Sequence, residues 1–591
     1  MGDASPHPPR LGRADRIVAY RPRLAALAGL ALGLVIIHLG LFGGEPLVPL
    51  QQRAADGTVA ILLLAMIRRL HAHFLHRGAA WGLSPAYEAL LWVLAGASVI
   101  APVAAVLRLT GVAEALSLAS LSILTKLAVV YVAIRVSSRI RRIILAADAA
   151  RLVVPASAAV VLSFGLVITF GAMLLSLPSA TADGVPARPV DALFTATSAS
   201  CVTGLIVKDT PRDWSLFGQI VILVLIQVGG LGTMTMASVL RLLTQRRSTV
   251  LQRLVLRDTV APGAADVLHV VRRVVYFTLL CEGLGALLLW WRWAAAGRPV
   301  ARAAYEGLFH GVSAFCNAGF SLFSTSLEHW VADPVVNLVV GGLIVLGGIG
   351  FPVVMDLAHW ARVHLAHGRC RISLHTDVAL QTTALLLVVG FALFLILEWD
   401  AAFRDLPPAG KCLAASFASI TPRTAGFDTV PPAESSLPSQ WTTMALMFIG
   451  ASPGSTGGGI KTVTAAVLTL LVFGMARGRR RLHTGHRSVG EVTRHRAFAI
   501  AALMACAAFL VTFGLALTEQ SDLATLLFEA LSALGTVGLS LGVTSLLSTA
   551  GRLILTLAMY AGRVGPLTLA LAVPPARPVA VEYPEEDMMV G

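Results

Sequence analysis

Four short stretches of this chain look alike. They are LFTATSASCVTGL ending at Leu205, LFHGVSAFCNAGF ending at Phe320, SFASITPRTAGF ending at Phe427 and LFEALSALGTVGL ending at Leu539. In each, an aromatic residue stands nine or ten positions before a glycine: Phe194–Gly204, Phe309–Gly319, Phe417–Gly426 and Phe528–Gly538. A large apolar residue follows every glycine, and the glycines recur about every 110 residues. Each stretch lies between two long apolar runs: about 157–178 and 215–240, 274–293 and 334–358, 376–398 and 439–475, 497–517 and 551–573. The unit is helix, short re-entrant segment, helix, and it occurs four times.

Composition says what surrounds these units. The chain is 56% hydrophobic and only 13% charged, where a soluble protein carries roughly 25% charged residues. Runs near the ~20 residues of a spanning helix follow one another along its length. The fold class this predicts is an all-α polytopic membrane protein. The net charge of +14 does not read as a nucleic-acid signal, because the arginines cluster between apolar runs. The basic clusters Arg241–Arg257 with Arg272 and Arg273, Arg362–Arg371 and Arg477–Arg496 all fall between one unit and the next. They belong on the cytoplasmic side, which puts the re-entrant segments on the outer side. The six cysteines are scattered, so neither a disulfide framework nor a metal site is expected.

Ahead of the units lie four more apolar runs, about 24–43, 54–67, 85–108 and 114–136. They form an N-terminal module of about four transmembrane helices over residues 1–150, with no role legible in it. The units divide the rest into repeat 1 at 151–245, repeat 2 at 265–362, repeat 3 at 373–476 and repeat 4 at 495–575, with a tail at 576–591.

Non-helical backbone survives at membrane depth only when buried in protein or lining a wet cavity. One such glycine alone would be ordinary helix packing. Four in register point to a ring of backbone carbonyls around one axis, which replaces a cation's water shell. Glycine at positive φ lets successive carbonyls turn the same way. Asp191 and Ser521 are the expected N-caps of two of the short helices before the glycines.

A second anomaly is GASPGSTGGGIKT, Gly450–Thr462. It misses the phosphate-loop pattern by one residue, because Ile460 separates Gly459 from Lys461. It interrupts an apolar run, and Pro453 with Gly454, Gly457, Gly458 and Gly459 breaks the helix there. Ser452, Ser455 and Thr456 can satisfy the freed backbone groups. Lys461 either donates to loop carbonyls or faces the cavity. Arg563 stands about twelve residues into the last apolar run, where a charge costs at least ~2.5–3.5 kcal/mol and needs partners. Glu282 is also intramembrane and reads as a structural partner.

These motifs resemble the membrane subunit of the Trk/Ktr/HKT potassium transporters, nearest the Ktr-type bacterial subunit. The resemblance runs over about 150–591 and rests on DALFTATSA with VTGL, IQVGGLGTM, SAFCNAGFSL, RTAGFDTV, SPGSTGGGIKT, GTVGLSLG, GRVGPLTLA and the terminal YPEEDMMVG. It implies four pseudo-symmetric M1–P–M2 units around one K⁺ pathway in a multi-pass protein of the bacterial inner membrane. It also implies a filter lined by Cys201, Val202, Thr203 and Gly204; by Cys316, Asn317, Ala318 and Gly319; by Arg423, Thr424, Ala425 and Gly426; and by Gly535, Thr536, Val537 and Gly538. Cys201 replaces the threonine often seen there, so a hydroxyl ligand at the inner end is lost. Asn317 and Arg423 are expected to brace the loops from behind. Gly204, rather than serine, matches the K⁺-selective branch.

The loop at 451–460 is implied to be a gate, formed by Gly454, Ser455, Thr456, Gly457, Gly458 and Gly459, with Lys461 at its end and Arg563 as a fixed charge beside it. A homodimer and a cytosolic ring of nucleotide-binding, RCK-type regulatory subunits are implied as partners. The polar cytoplasmic stretches are too short to house such a domain themselves, which takes about 50 residues or more. K⁺ is the implied cargo and Na⁺ a candidate activator, with no covalent cofactor. A Na⁺-permeable or Na⁺-coupled variant is the alternative. A polytopic membrane enzyme is a distant one, because no H-E-x-x-H, D-D-x-x-D or S-x-x-K constellation is present.

Overall fold

The computed structural model describes residues 156–244, 264–367, 370–478, 483–484, 487–488 and 490–565. The expected N-terminal module at 1–150 and the tail at 576–591 lie outside them. The described chain is mostly helical. In order come α1 Ala156–Leu175, α2 Pro189–Ser200, α3 Leu216–Thr244, α4 Ala264–Ala295, α5 Val300–Cys316, α6 Pro334–Gly348 and α7 Phe351–Leu365. Then follow α8 Leu374–Glu398, α9 Pro408–Ile420, α10 Leu437–Phe448, α11 Thr462–Ala476, α12 Glu491–Thr518, α13 Leu523–Gly535 and α14 Thr549–Val564. A two-residue hairpin, His483–Thr484 with Arg487–Ser488, lies between α11 and α12.

Three of the described helices contain spans long and apolar enough to cross a membrane: Val271–Ala295, Leu374–Glu398 and Thr493–Thr518. A fourth span is broken, α6 turning into α7 through 96°. The outside of the molecule is apolar: Leu280, Leu284 and Leu287 on α4 and Leu385, Val388 and Ile396 on α8 are exposed. Within the apolar core a set of polar residues is also fully buried: Ser198, Ser200, Thr203, His310, Ser313, Asn317, Thr424, Glu529, Ser532 and Thr536. A surround of lipid accounts for the exposed apolar helix faces.

The four short helices α2, α5, α9 and α13 carry Phe194, Phe309, Phe417 and Phe528, all buried. Their starts correct two expectations. Asp191 is not an N-cap: Pro189 opens α2, and Asp191 sits in its first turn and pairs with Arg552 at 2.5 Å. Ser521 is not the cap of α13 either, since Asp522 accepts from Thr525 N. The pair Asp191–Arg552 ties α14, the last described helix, back to α2 near the start.

The helices flanking the short ones clasp one another at their ends. Glu398 at the end of α8 accepts from Ser436 N at 2.9 Å and Oγ at 2.6 Å, just ahead of α10. Glu519 does the same for Ser548 ahead of α14, with Oγ at 2.6 Å. Between α4 and α6 the charge order is reversed, with Arg292 against Asp333 at 2.6 Å. Glycines let the helices close on the short ones. A methyl group on Gly229 of α3, Gly347 of α6 or Gly562 of α14 would strike Ser200 O, Phe315 O or Leu534 O, each at or beside the end of a short helix. Small residues of this kind are what lets membrane helices approach.

Candidate functional site

The four glycine segments meet. A Cβ built on Gly204 would lie 2.5 Å from Ala318 O, and one on Gly319 would lie 2.9 Å from both Ala425 O and Gly426 Cα. A Cβ on Gly426 would meet Gly538 Cα at 3.2 Å, and one on Gly538 would meet Gly204 Cα at 3.0 Å. Gly204, Gly319, Gly426 and Gly538 therefore form a closed ring in chain order, too tight for a side chain at any of the four.

The backbone repeats its hand around that ring. The four glycines lie at φ +97°, +70°, +77° and +97°. Two residues earlier in each segment, Val202, Asn317, Thr424 and Thr536 also lie at positive φ, between 50° and 74°. All four segments thus share one alternation of positive-φ and ordinary residues. Such a conformation is rare for non-glycine residues, above all β-branched ones, and needs firm support.

The support comes from the short helices. Thr203 N, Ala318 N and Val537 N donate to Ser198 O, Ser313 O and Ser532 O, all at 2.8 Å and five residues back. In the third segment Ala425 N reaches only four residues back, to Thr421 O at 2.9 Å. This is the segment with nine rather than ten residues from aromatic to glycine. Serine hydroxyls add to the frame: Gly204 N donates to Ser198 Oγ and Gly538 N to Ser532 Oγ, both at 3.1 Å.

The other predicted lining residues are brought together with these. Cys201 and Cys316 are buried at the starts of their segments, and Cys316 Sγ donates to Glu282 Oε1 at 3.6 Å. That contact gives the intramembrane Glu282 a place behind the second segment. The Asn317 amide, turned so that its nitrogen donates to Ala314 O at 3.1 Å and Ile344 O at 3.2 Å, faces Thr424 Oγ1 with its oxygen. Arg423 points away from the ring and donates to Thr383 Oγ1 on α8 at 3.3 Å. Gly535 is the last residue of α13.

The loop between α10 and α11 sits against the same ring. Side chains at Gly457 or Gly458 would collide with the Thr424 and Thr536 side chains. The loop folds on itself, with Ala451 N donating to Gly458 O at 3.3 Å and Lys461 Nζ to Gly457 O at 2.6 Å. Of the two positions open to Lys461, donation to the loop is the one it takes. Ser452 Oγ pairs with Thr462 Oγ1 at 2.9 Å, and Thr456 Oγ1 donates to Phe315 O at 3.3 Å.

Sequence reasoning missed what this loop is tied to. Ser452 N donates to Gly348 O at 2.9 Å, Thr456 N to Gly347 O at 3.2 Å, and Phe351 N to Gly454 O at 3.1 Å. The elbow between α6 and α7 thus forms one backbone-bonded unit with the loop. Gly350 makes the elbow possible at φ +92°. Its signal was present as GGIGFP, but a glycine pair in an apolar run is more often packing. Arg563 completes the unit: its guanidinium donates to Thr456 O and, at 2.6 Å, to Gly229 O on α3.

The family described as TrkH, cation transport protein, matches residues 152–578. Ktr system potassium uptake protein B of Vibrio alginolyticus is 37% identical over 437 residues, spanning 73% of this chain and 94% of its own length. The protein of the same name from Bacillus subtilis strain 168 is 36% identical over 439 residues, 73% of this chain and 95% of its own. Potassium/sodium uptake protein NtpJ of Enterococcus hirae is 36% identical over 442 residues, 72% of this chain and 95% of its own. The crystal structure of the potassium transporter TrkH from Vibrio parahaemolyticus shares the fold, with a TM-score of 0.56 over 70% of this chain and 84% of that one, at 19% identity.

Proposed function

We propose, from the premise that this chain belongs to the Trk/Ktr superfamily of potassium transporters, that it takes up K⁺ through the ring of four glycine segments and holds the path shut with the loop at 451–460. The single observation that carries this reading is the closed ring with its repeated alternation of φ. Four segments of that hand offer stacked carbonyl oxygens and no side chain at the glycine level, which is what a dehydrated K⁺ needs. Each segment with the helices around it is read as one M1–P–M2 unit, at 151–245, 265–362, 373–476 and 495–575. The family transports ions and does not catalyse a covalent reaction, so no catalytic residues are assigned.

The filter residues in this reading are Cys201 to Gly204, Cys316 to Gly319, Thr424 to Gly426 and Gly535 to Gly538. Cations are drawn inward by the membrane potential, which supplies ~2.3 kcal/mol per charge per 100 mV. The loop's contacts with Thr424 and Thr536 support its reading as an obstruction beside the ring. Arg563 places a fixed positive charge at the same point and pins the loop. Release is read as the work of cytosolic nucleotide-binding subunits acting on the cytoplasmic ends of a homodimer in the bacterial inner membrane. The bonded elbow of α6 and α7 offers such a push a route to the loop.

A second reading is favoured by one observation. The Enterococcus relative is named a potassium/sodium uptake protein, so Na⁺ passage or Na⁺ activation is the alternative for this chain. Rb⁺ uptake by liposomes holding the purified full chain separates the two. Uptake that K⁺ competes away and Na⁺ does not supports the first reading. Equal competition by both ions supports the second, and no cation uptake under any condition overturns both.

A further inference from the structure

We propose that His310 and Glu529 are positioning residues that fix the outer edge of the glycine ring, a role that rests on the reading of that ring as the filter. The two occupy the same place in their segments, directly after Phe309 and Phe528. Both are fully buried on short helices, His310 on α5 and Glu529 on α13. Both reach the residue two positions beyond a ring glycine. His310 Nε2 lies 3.0 Å from Ser321 Oγ, and Ser540 Oγ donates to Glu529 Oε1 at 2.5 Å.

The chemistry at the two places is the same in kind. His310 Nδ1 lies 2.8 Å from Glu306 O, so it carries the ring proton and Nε2 accepts. Glu529 accepts three donors: Ser540 Oγ, Leu541 N at 3.1 Å and Thr544 Oγ1 at 2.6 Å. A buried acceptor so satisfied holds the chain beyond Gly538 in one place.

The bracing is not fourfold. The equivalent positions in the first and third segments are Thr195 and Ala418. Thr195 Oγ1 is buried with no hydrogen-bond partner among the described residues, and alanine has none to give. The ring order makes the second and fourth segments opposite neighbours, so the posts stand on one diagonal. The loop beyond Gly319 then passes the restraint sideways. Ser324 Oγ donates to Asp209 Oδ2 of the first segment's loop at 2.6 Å. Asp428 N of the third donates to Ser326 Oγ at 3.2 Å, and Leu327 N donates to Asp428 O at 2.9 Å. The outer loops of the first and third segments bond to that of the second, which stands on His310, and the third is also held by Thr421 Oγ1 donating to Phe427 O. The fourth stands on Glu529.

On the cavity-size account of selectivity, a carbonyl ring favours K⁺ over Na⁺ while it resists closing on the smaller ion. Removing a post should therefore change selectivity without changing the carbonyl set. The test uses the full chain in liposomes and reads the ratio of K⁺ to Na⁺ competition against Rb⁺ uptake, with folding checked by size exclusion. Ser540→Ala takes away one donor and leaves Glu529 its other two. The ratio should fall up to roughly tenfold, about what one net hydrogen bond is worth, with maximal flux little changed. Ser540→Thr, which keeps the hydroxyl, should restore it. Glu529→Gln and Ser321→Ala should lower the ratio, and Thr195→Ala should not. A parental ratio in well-folded Ser540→Ala and Glu529→Gln overturns the proposal, as does an equal fall in Thr195→Ala. Gly204→Ser, measured alongside, separates the two levels. If it abolishes selectivity while the brace variants do not, only the brace is wrong. If it too leaves the ratio unchanged, the filter reading is wrong.

Discussion

Arg563 Nη2 donates to Gly229 O at 2.6 Å, and the same guanidinium donates through Nη1 to Thr456 O. One side chain near the end of α14 so joins α3 to the loop between α10 and α11, across 334 and 107 residues of sequence. The loop is held by this cation on one side and by the α6–α7 elbow on the other. Neither restraint is local, so the loop's position depends on several helices at once.

Arg563→Ala should raise resting Rb⁺ flux, because it removes both a pin and a charge that repels cations. Each charge-assisted hydrogen bond lost is worth about 1.5–3 kcal/mol, so a rise of roughly tenfold or more is expected. Deleting Gly454–Gly459 should act in the same direction. The two changes touch one barrier and should not add. Unchanged or lower flux in a well-folded deletion would mean that the loop is a structural kink.

Gly204→Ser should lower K⁺ preference over Na⁺, read as the Rb⁺/Na⁺ uptake ratio. The ring geometry extends this to Gly319→Ser, Gly426→Ser and Gly538→Ser. Each glycine lies at positive φ, and a Cβ on it would meet backbone of its neighbour. Equal uptake ratios in all four variants and the parent would sink the carbonyl-ring reading.

Gly350→Ala should uncouple the elbow from the loop. A Cβ there would lie 2.6 Å from Pro453 O, at a residue with φ +92°. The strain is about 1–3 kcal/mol for the backbone alone, with the collision on top. We expect higher resting flux with a small fall in melting temperature. A parental flux at full occupancy of the membrane would show that the elbow does not restrain the loop.

Uptake should follow an imposed membrane potential, inside negative, with no nucleotide hydrolysed by this chain. Collapsing the potential with a protonophore should abolish accumulation. Accumulation that survives it would rule out a channel-like path.

Asp191→Asn should destabilise the chain without altering ion preference. It strips Arg552 of a carboxylate at 2.5 Å, although Leu547 O and Ser545 O remain as acceptors. A loss of roughly 1–3 kcal/mol is expected, read as a lower melting temperature. A shift in the K⁺/Na⁺ ratio instead would place Asp191 in the path.

The parts legible in the sequence were those carried by local pattern. Apolar runs gave the helices, and the spacing from Phe417 to Gly426 already set the third segment apart from the others. The break at Pro453–Gly459 was visible because proline and four glycines interrupt one run. The break at Gly350 was not, because Ile349 keeps the run apolar and glycines are ordinary in membrane helices. Asp191 and Ser521 misled because cap preference ignores a proline that starts the helix earlier, or a better acceptor one residue on. Positive φ at Val202, Thr424 and Thr536 runs against the preference of β-branched residues, so only tertiary support reveals it. The partners of Arg563 lie too far along the chain for any local reading.

The third segment carries Arg423, buried and turned outward to Thr383 on a helix of its own neighbourhood. Because all four segments belong to one polypeptide, this guanidinium occurs once. A channel assembled from four identical subunits would have to house four of them, or none. A single chain is free to place a large cation, an amide or a thiol behind one quadrant and leave the opposite quadrant bare. Residues that a homotetramer would be barred from using thus become available for tuning one ion path, one position at a time.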